Sequence, residues 1–307
     1  MIRWWFSLWD QQEHARSLAI VRIALACVIG WDLLQMGWLD VVEPLYAPHE
    51  SGGLGKILAQ RSPPWMYTLL PPTAVGSVVY GMAVVCTLCW GVGLLTPLAA
   101  IGLVVALTQM ALAMPPADRG IDLLIRNMVL ILAFSKSHRV FSIDARLWPR
   151  SPIIPNWPRR LVIVQLVLVY GTAGMAKVSA AWGPTGHFSA LYVAMHNPAI
   201  GRVPSDWLPA LFPFSQVLTA GTWLWEWSAP LLLLALHYRT TRTRPGRLRA
   251  LFNRLEFVRL YLVLGAVFHL GTAMTFALGI FPWAMLALYT AFVPPDRWAA
   301  WDRHRRD

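Results

Sequence analysis

The sequence predicts an all-α integral membrane protein: a single domain over 1–307, a bundle of about eight transmembrane helices, both termini inside, and short amphipathic helices on the outer face. Three observations predict it. Of 307 residues, 57% are hydrophobic and 13% charged, where an average soluble domain carries roughly 25% charged residues; the mean hydropathy is +0.50. Apolar runs of the length needed to cross a hydrocarbon core, about 20 residues at 1.5 Å each, recur along the chain. Seventeen tryptophans suit a protein whose indoles sit at the headgroup level. The net charge of +11 does not point to nucleic acid, because the basic residues cluster in a few loops between apolar runs and no basic soluble domain is visible.

In chain order, the start "MIRWWFSLWDQQEHARS" is polar and aromatic and predicts an interfacial helix. The first long apolar run follows it and is expected to stay in the mature chain, with no cleavable signal peptide. Spans are predicted at 17–36, 75–95, 97–115, 121–137, 160–178, 213–236, 257–277 and 279–295. Proline pairs at 71–72 and 115–116 punctuate span boundaries, since proline cannot continue a helix ladder. With the N-terminus inside, the inner segments hold 19 Lys and Arg and the outer ones 5, namely Lys56, Arg61, Arg119, Lys177 and Arg202. That split supports the N-in, C-in arrangement. Two long outer segments, 37–74 and 179–212, mix aromatics with Pro and Gly and predict short amphipathic helices over the outer face. The long inner loop "HYRTTRTRPGRLRALFNRLE" reads as a solvated basic loop near anionic lipid. Cys27, Cys86 and Cys89 all lie in apolar spans; the C-x-x-C they include reads more simply as buried inert thiols than as a redox pair.

Ionisable groups at membrane depth are costly and mark sites by default. Here they are Arg22, Asp32, Asp122, Arg126, Lys177, Glu226 and His269. Asp122 and Arg126 stand four apart and are expected to pair on one helix face. Arg22, near the inner end of the first span, is expected to snorkel. Glu226, in "TWLWEWSAP", needs a proton or a partner, for which Arg22 and Arg126 are candidates. His269, in "GAVFHLGTAM", reads first as a hydrogen-bonded core residue; no HExxH or clustered ligand pattern supports a metal site. In "LVYGTAGMAKVSAAWG", Tyr170, Gly174 and Lys177 share a helical face, and the small residues beside them allow close approach of a helix or a flat ligand. Lys177 is either a snorkelling lysine or, in an apolar setting that disfavours the ammonium form, a base.

These residues carry a resemblance. "YGTAGMAKVSAAW" resembles the segment around the catalytic lysine of vitamin K-dependent γ-glutamyl carboxylase; "VFHLGTAMTFALGIFPWAML" resembles its later histidine helix, and "RVFSIDARLWP" its Ser-x-Asp turn. The three occur in the same order, and the chain is identified as a member of the HTTM (horizontally transferred transmembrane) domain family. The resemblance implies a bacterial inner-membrane enzyme with an outward-facing site. It would use a reduced quinone of the vitamin K or menaquinone type, with O2 and CO2 as co-substrates, to deprotonate and carboxylate glutamate in an exported peptide. It implies Lys177 as base, with His269 as a second catalytic group that hydrogen-bonds the quinone or the developing oxyanion. Tyr170 and Trp182, with Asp122 and Arg126, are the expected cofactor-binding residues. The implied partners are membrane lipid, the quinone, a secreted peptide and a separate recognition protein. Two departures stand out. Ile121 or Asp122 occupies the place of a histidine in the animal enzyme, and the large β-rich extramembrane region is expected to be absent beyond "WDRHRRD". Two other readings remain open: a non-catalytic partner in peptide maturation or export, and a small transporter or quinone-binding redox subunit.

Overall fold

A computed structural model describes residues 11–47, 49–55 and 75–298. It divides into two compact units, Met1–Val162 with Ala287–Asp307, and Ile163–Leu286. Among the described residues the regular elements are helices apart from one pair of three-residue strands.

The first unit opens with that pair: β1 (Gln12–His14) runs antiparallel to β2 (Ile153–Pro155), with Gln12 opposite Pro155. The Arg159 guanidinium grips the Glu13 carboxylate at 2.6–3.0 Å beside it. The interfacial helix expected at the N-terminus is therefore a strand over residues 12–14, because its backbone groups pair with β2; residues 1–10 lie outside the described residues. The unit then runs through α1 (Arg16–Trp38), α2 (Val42–Tyr46), α3 (Val75–Val92), α4 (Thr96–Ala113), α5 (Gly120–Ala133), α6 (Ile143–Leu147) and the start of α7 (Trp157–Ala176). Helices α1, α3, α4 and α5 pack in sequence order around Leu18, Leu25, Trp90, Leu103, Met128 and Leu132, all essentially without solvent contact.

Polar groups pin the ends of these helices. Asp144 on α6 accepts hydrogen bonds from the Leu95 and Thr96 backbone N–H groups (2.8 and 2.9 Å) and the Thr96 hydroxyl (2.7 Å), capping the N-terminus of α4. Ser142 caps α6 by accepting from the Ala145 N–H at 2.9 Å. These are the Ser and Asp of the Ser-x-Asp turn. Burial pushes the Asp144 carboxyl up, but the bonds from Thr96 and Leu95 outweigh it and hold the group below the usual carboxylate range. Asp144→Asn is expected to lower stability by about 1–3 kcal/mol. A carboxyl depressed in the folded state contributes stability above its unfolded value and loses it as pH falls through the folded one. The wild-type advantage over Asp144→Asn, measured by thermal melting, should therefore hold at neutral pH and vanish in acid.

Arg22 does not snorkel. It is fully buried and donates to the Ser137 carbonyl at 3.0 Å and the Phe141 carbonyl at 2.5 Å, tying α1 to the turn before α6. The reason is that the guanidinium, buried at the foot of α1, needs acceptors, and the turn offers the buried Ser137 carbonyl and the Phe141 carbonyl within reach. Nor do Asp122 and Arg126 pair with each other. Asp122, in the first turn of α5, turns back to the Arg119 backbone N–H (2.9 Å) and guanidinium (2.8 Å), while Arg119 also reaches Asp32 at 2.6 Å. Arg126 forks onto Asp118 at 2.7 and 2.8 Å. An acid in the first helical turn finds nearer donors at the helix N-terminus than a side chain one turn on.

The second unit holds the rest of α7, then α8 (Ala190–Met195), α9 (Leu208–Trp227), α10 (Leu231–Thr240), α11 (Arg247–Arg254), α12 (Phe257–Thr275) and most of α13 (Phe281–Tyr289). Short α8 packs on α9: the Leu191 N–H donates to the Thr219 hydroxyl at 3.2 Å, and Tyr192 meets Phe212 edge-on. The chain between α8 and α9 is clipped to the end of α12 by a backbone bridge between Gly201 and Phe276.

Four of the expected spans form helices long and apolar enough to cross a membrane: α1, α4, α7 and α12; Gly76–Val92 and Phe281–Phe292 are shorter apolar helices. The predicted span 121–137 is the 14-residue α5, closed by a turn at Phe134. The predicted span 213–236 breaks at Ser228–Pro230 into α9 and α10, where the proline cannot continue the ladder. The basic loop expected on the inner side contains a helix, α11, rather than an unstructured run. Lys56 and Arg61 of the outer count, and most of the segment before α3, lie outside the described residues.

Candidate functional site

Helix α7 ends at Ala176, one residue before Lys177. The Lys177 backbone N–H bonds back to the Gly174 carbonyl at 3.2 Å, and the chain then takes two single 3₁₀ turns, Ala180–Trp182 and Pro184–Gly186. Lys177 thus stands just past a helix C-terminus, where carbonyls left without helical donors favour a cation. Its ammonium contacts the Ala173 carbonyl at 3.4 Å and forms an ion pair with Glu226 on α9. The Lys177 side chain is 18% exposed and that of Glu226 7%. The Trp182 ring centroid lies 4.9 Å from Nζ, a cation–π distance. The partner of Glu226 is therefore Lys177, and not Arg22 or Arg126, which belong to the first unit and are engaged there.

Gly174 makes that pair possible. A Cβ at this position would stand 3.0 Å from the Trp227 backbone nitrogen and 3.1 Å from Glu226 Cβ, so only glycine lets α7 and α9 meet here without displacement. Gly171, one turn earlier, faces nothing nearer than Pro230 at 3.9 Å. Gly174→Val is expected to cost about 1–3 kcal/mol by overpacking. Gly171→Ala should be neutral or stabilising by up to about 1 kcal/mol through helix propensity. Thermal denaturation of the two variants side by side checks this.

One turn deeper, Tyr170 and His269 form a second polar pair. The Tyr170 hydroxyl and His269 Nε2 share a hydrogen bond of 2.7 Å, with Tyr170 4% and His269 0% exposed. Aromatic rings close around them. Trp225 lies 4.7 Å from Tyr170 and stacks on Tyr261 at 5.0 Å; Phe281 meets His269 at 5.4 Å. The Trp225 indole donates to the Tyr261 carbonyl at 3.3 Å. The shared face expected for Tyr170, Gly174 and Lys177 is thus turned onto α9, with Tyr170 also reaching α12. His269 is enclosed by this cluster, and its Nε2 is bonded to Tyr170.

Of the expected site residues, the fold gathers Lys177, Tyr170, Trp182 and His269 into the second unit and adds Glu226, Trp225 and Gly174. Asp122 and Arg126 belong to the first unit, each held in an ion pair. The role of Glu226 was not readable from spacing, since it lies 49 residues from Lys177. Gly174, three residues before the lysine, was the available signal. The first unit also holds an apolar groove of about 580 Å³ between α1 and α3, lined by Ile23, Gly30, Leu34, Val84, Leu88 and Gly91. The Tyr80 and Thr87 hydroxyls at its wall are spent on the Leu33 and Ala83 carbonyls, so the groove suits hydrocarbon.

Chemically, the site couples an amine to a carboxylate with one side of the amine reachable from outside. When Nζ takes a proton and passes its own to Glu226, the carboxylate is discharged and the couple goes from neutral to a single positive charge, which an anion formed beside the amine offsets. Set against known proteins, residues 10–199 match the family model described as HTTM domain, more than half of the chain. Searches of curated proteins and of solved structures gave no match.

Proposed function

The chain belongs to the HTTM domain family, a domain shared with vitamin K-dependent γ-glutamyl carboxylase, and from that premise we propose that Lys177 and Glu226 form the proton-accepting couple of a quinol-using membrane enzyme. That the protein is integral to the membrane follows from the family and from four helices of membrane length. The observation that carries the proposal is the ion pair itself, partly open at Nζ and closed at the carboxylate.

The residues suit a reduced naphthoquinone. The amine is the one polar group of the couple that keeps contact with the outside, Trp182 offers a flat wall beside it, and exposed Met175 and Val178 make its surroundings apolar. When bound, the hydroquinone would supply, together with O2, the driving force for removing a weakly acidic C–H proton from a peptide glutamate, to which CO2 then adds. Lys177 Nζ takes the hydroxyl proton as its own proton moves to the Glu226 carboxylate. Tyr170 and His269 hold the last turns of α7 in register against α9 and α12; they are positioning residues. The substrate is then an exported peptide, presented by a separate recognition protein, and the site faces the outer side of a bacterial inner membrane.

The test is quinol-dependent O2 uptake by the purified protein with reduced vitamin K or menaquinol. Turnover by wild type is expected. A well-folded protein that consumes no quinol overturns the enzymatic reading and leaves the non-catalytic maturation partner in its place.

A further inference from the structure

The segment joining α10 to α12 gathers seven arginines, Arg239, Arg242, Arg244, Arg247, Arg249, Arg254 and Arg259, against a single carboxylate, Glu256. That carboxylate is spent on Arg259 at 3.2 Å, in an exposed pair. Four of the arginines, Arg242, Arg244, Arg249 and Arg254, line one cup of about 550 Å³ at the start of α11, with Asn253, Gly246 and that same Glu256 on its wall. Two of the four are fixed in place. Arg242 donates to the Asn253 side-chain oxygen at 3.2 Å, and Asn253 is itself anchored to the Tyr238 carbonyl at 3.1 Å. Arg249 donates to the Thr241 hydroxyl at 3.1 Å and the Pro245 carbonyl at 2.8 Å, and its guanidinium lies 5.2 Å over the Tyr238 ring. Gly246, immediately before α11, takes φ 150°, a conformation that favours glycine. The guanidinium groups of Arg244 and Arg254 make no hydrogen bond or ion pair among the described residues.

A solvated basic loop does not need such a scaffold. Four guanidinium groups against one carboxylate that is already paired with Arg259 leave the cavity positive, and an anion in it offsets the Coulomb cost. We infer that this cup binds a phosphate group, with Arg242 and Arg249 as a preset fork and Arg244 and Arg254 closing on it. Guanidinium forks match phosphate oxygens in pairs, which a point charge cannot do. The cup lies on the short connection leading into α12, a helix of membrane length, and Leu248, Leu251 and Leu255 give α11 an exposed apolar edge. An anionic phospholipid headgroup is the source this position favours; a soluble phosphate compound is the other source of the same chemistry.

The experiment uses the full-length protein in nanodiscs of phosphatidylcholine, with phosphatidylglycerol titrated in, and separately with inorganic phosphate at matched ionic strength. Wild type is compared with Arg244→Gln/Arg254→Gln, which removes no intramolecular bond, with Arg242→Lys/Arg249→Lys, which keeps the charge but loses the fork, and with the control Arg146→Gln/Arg150→Gln in the first unit. Phosphatidylglycerol retention, read by native mass spectrometry, is expected to weaken about tenfold or more in both cup variants and to be unchanged in the control. Saturable stabilisation by inorganic phosphate that the cup variants lose, with no preference for phosphatidylglycerol, supports the same site with a soluble ligand. Equal loss in cup and control variants, or no phosphate dependence of either kind in wild type, overturns the inference.

Discussion

Lys177→Ala is expected to lower quinol-dependent O2 uptake by about 10²–10⁴-fold, the usual worth of a positioned general base. The same substitution also costs stability, because it strands the carboxylate of Glu226, whose side chain is only 7% exposed. Breaking a buried pair from one side costs on the order of 3–5 kcal/mol, and the partial exposure of Lys177 places this case at or below the low end. A second substitution separates the two effects. In the Lys177→Ala background, Glu226→Gln removes the unpaired charge and should restore most of the melting temperature while restoring none of the turnover. Glu226→Gln alone leaves the amine in place without its proton acceptor. Its turnover should fall and its pH–rate profile should shift, which a merely structural carboxylate would not cause. Full turnover in Lys177→Ala sinks the proposed couple; equal turnover and an unchanged pH profile in Glu226→Gln sink the carboxylate's part in it.

Trp225→Ala is expected to be the most destabilising single change in the second unit, about 3–5 kcal/mol. Trp225 is 8% exposed and touches the rings of Tyr170, Tyr261 and Phe268 at 4.7, 5.0 and 5.2 Å, so its removal opens a void on which the Tyr170–His269 pair borders. Trp225→Phe keeps the ring contacts and loses the hydrogen bond to the Tyr261 carbonyl, and should cost about 1 kcal/mol. Thermal melting of the purified variants measures both. A Trp225→Ala variant that melts like wild type would show that α7, α9 and α12 do not depend on this ring.

Much of this protein is local and was legible in the chain. Apolar runs of membrane length marked α1, α4, α7 and α12, because a hydrocarbon core demands length and hydropathy, and both are written residue by residue. The 3.6-residue period put Tyr170, Gly174 and Lys177 on one face before any partner was visible. Asp122 in the first turn of α5 was legible in principle as an N-terminal acid, although the four-residue spacing to Arg126 pointed elsewhere.

What the chain could not say is which groups meet across helices. Lys177 could have snorkelled; the crossing of α7 and α9 at Gly174 delivers Glu226 to it instead. Arg22 had the length to reach a headgroup, and the turn at Ser137–Phe141 takes it inward. Composition and periodicity determined that this is a membrane protein, where its long apolar helices lie, and which faces carry polar groups. Only the tertiary structure decided which charge answers which, because pairing in a dry interior is set by how closely two backbones approach, and that distance belongs to no single helix.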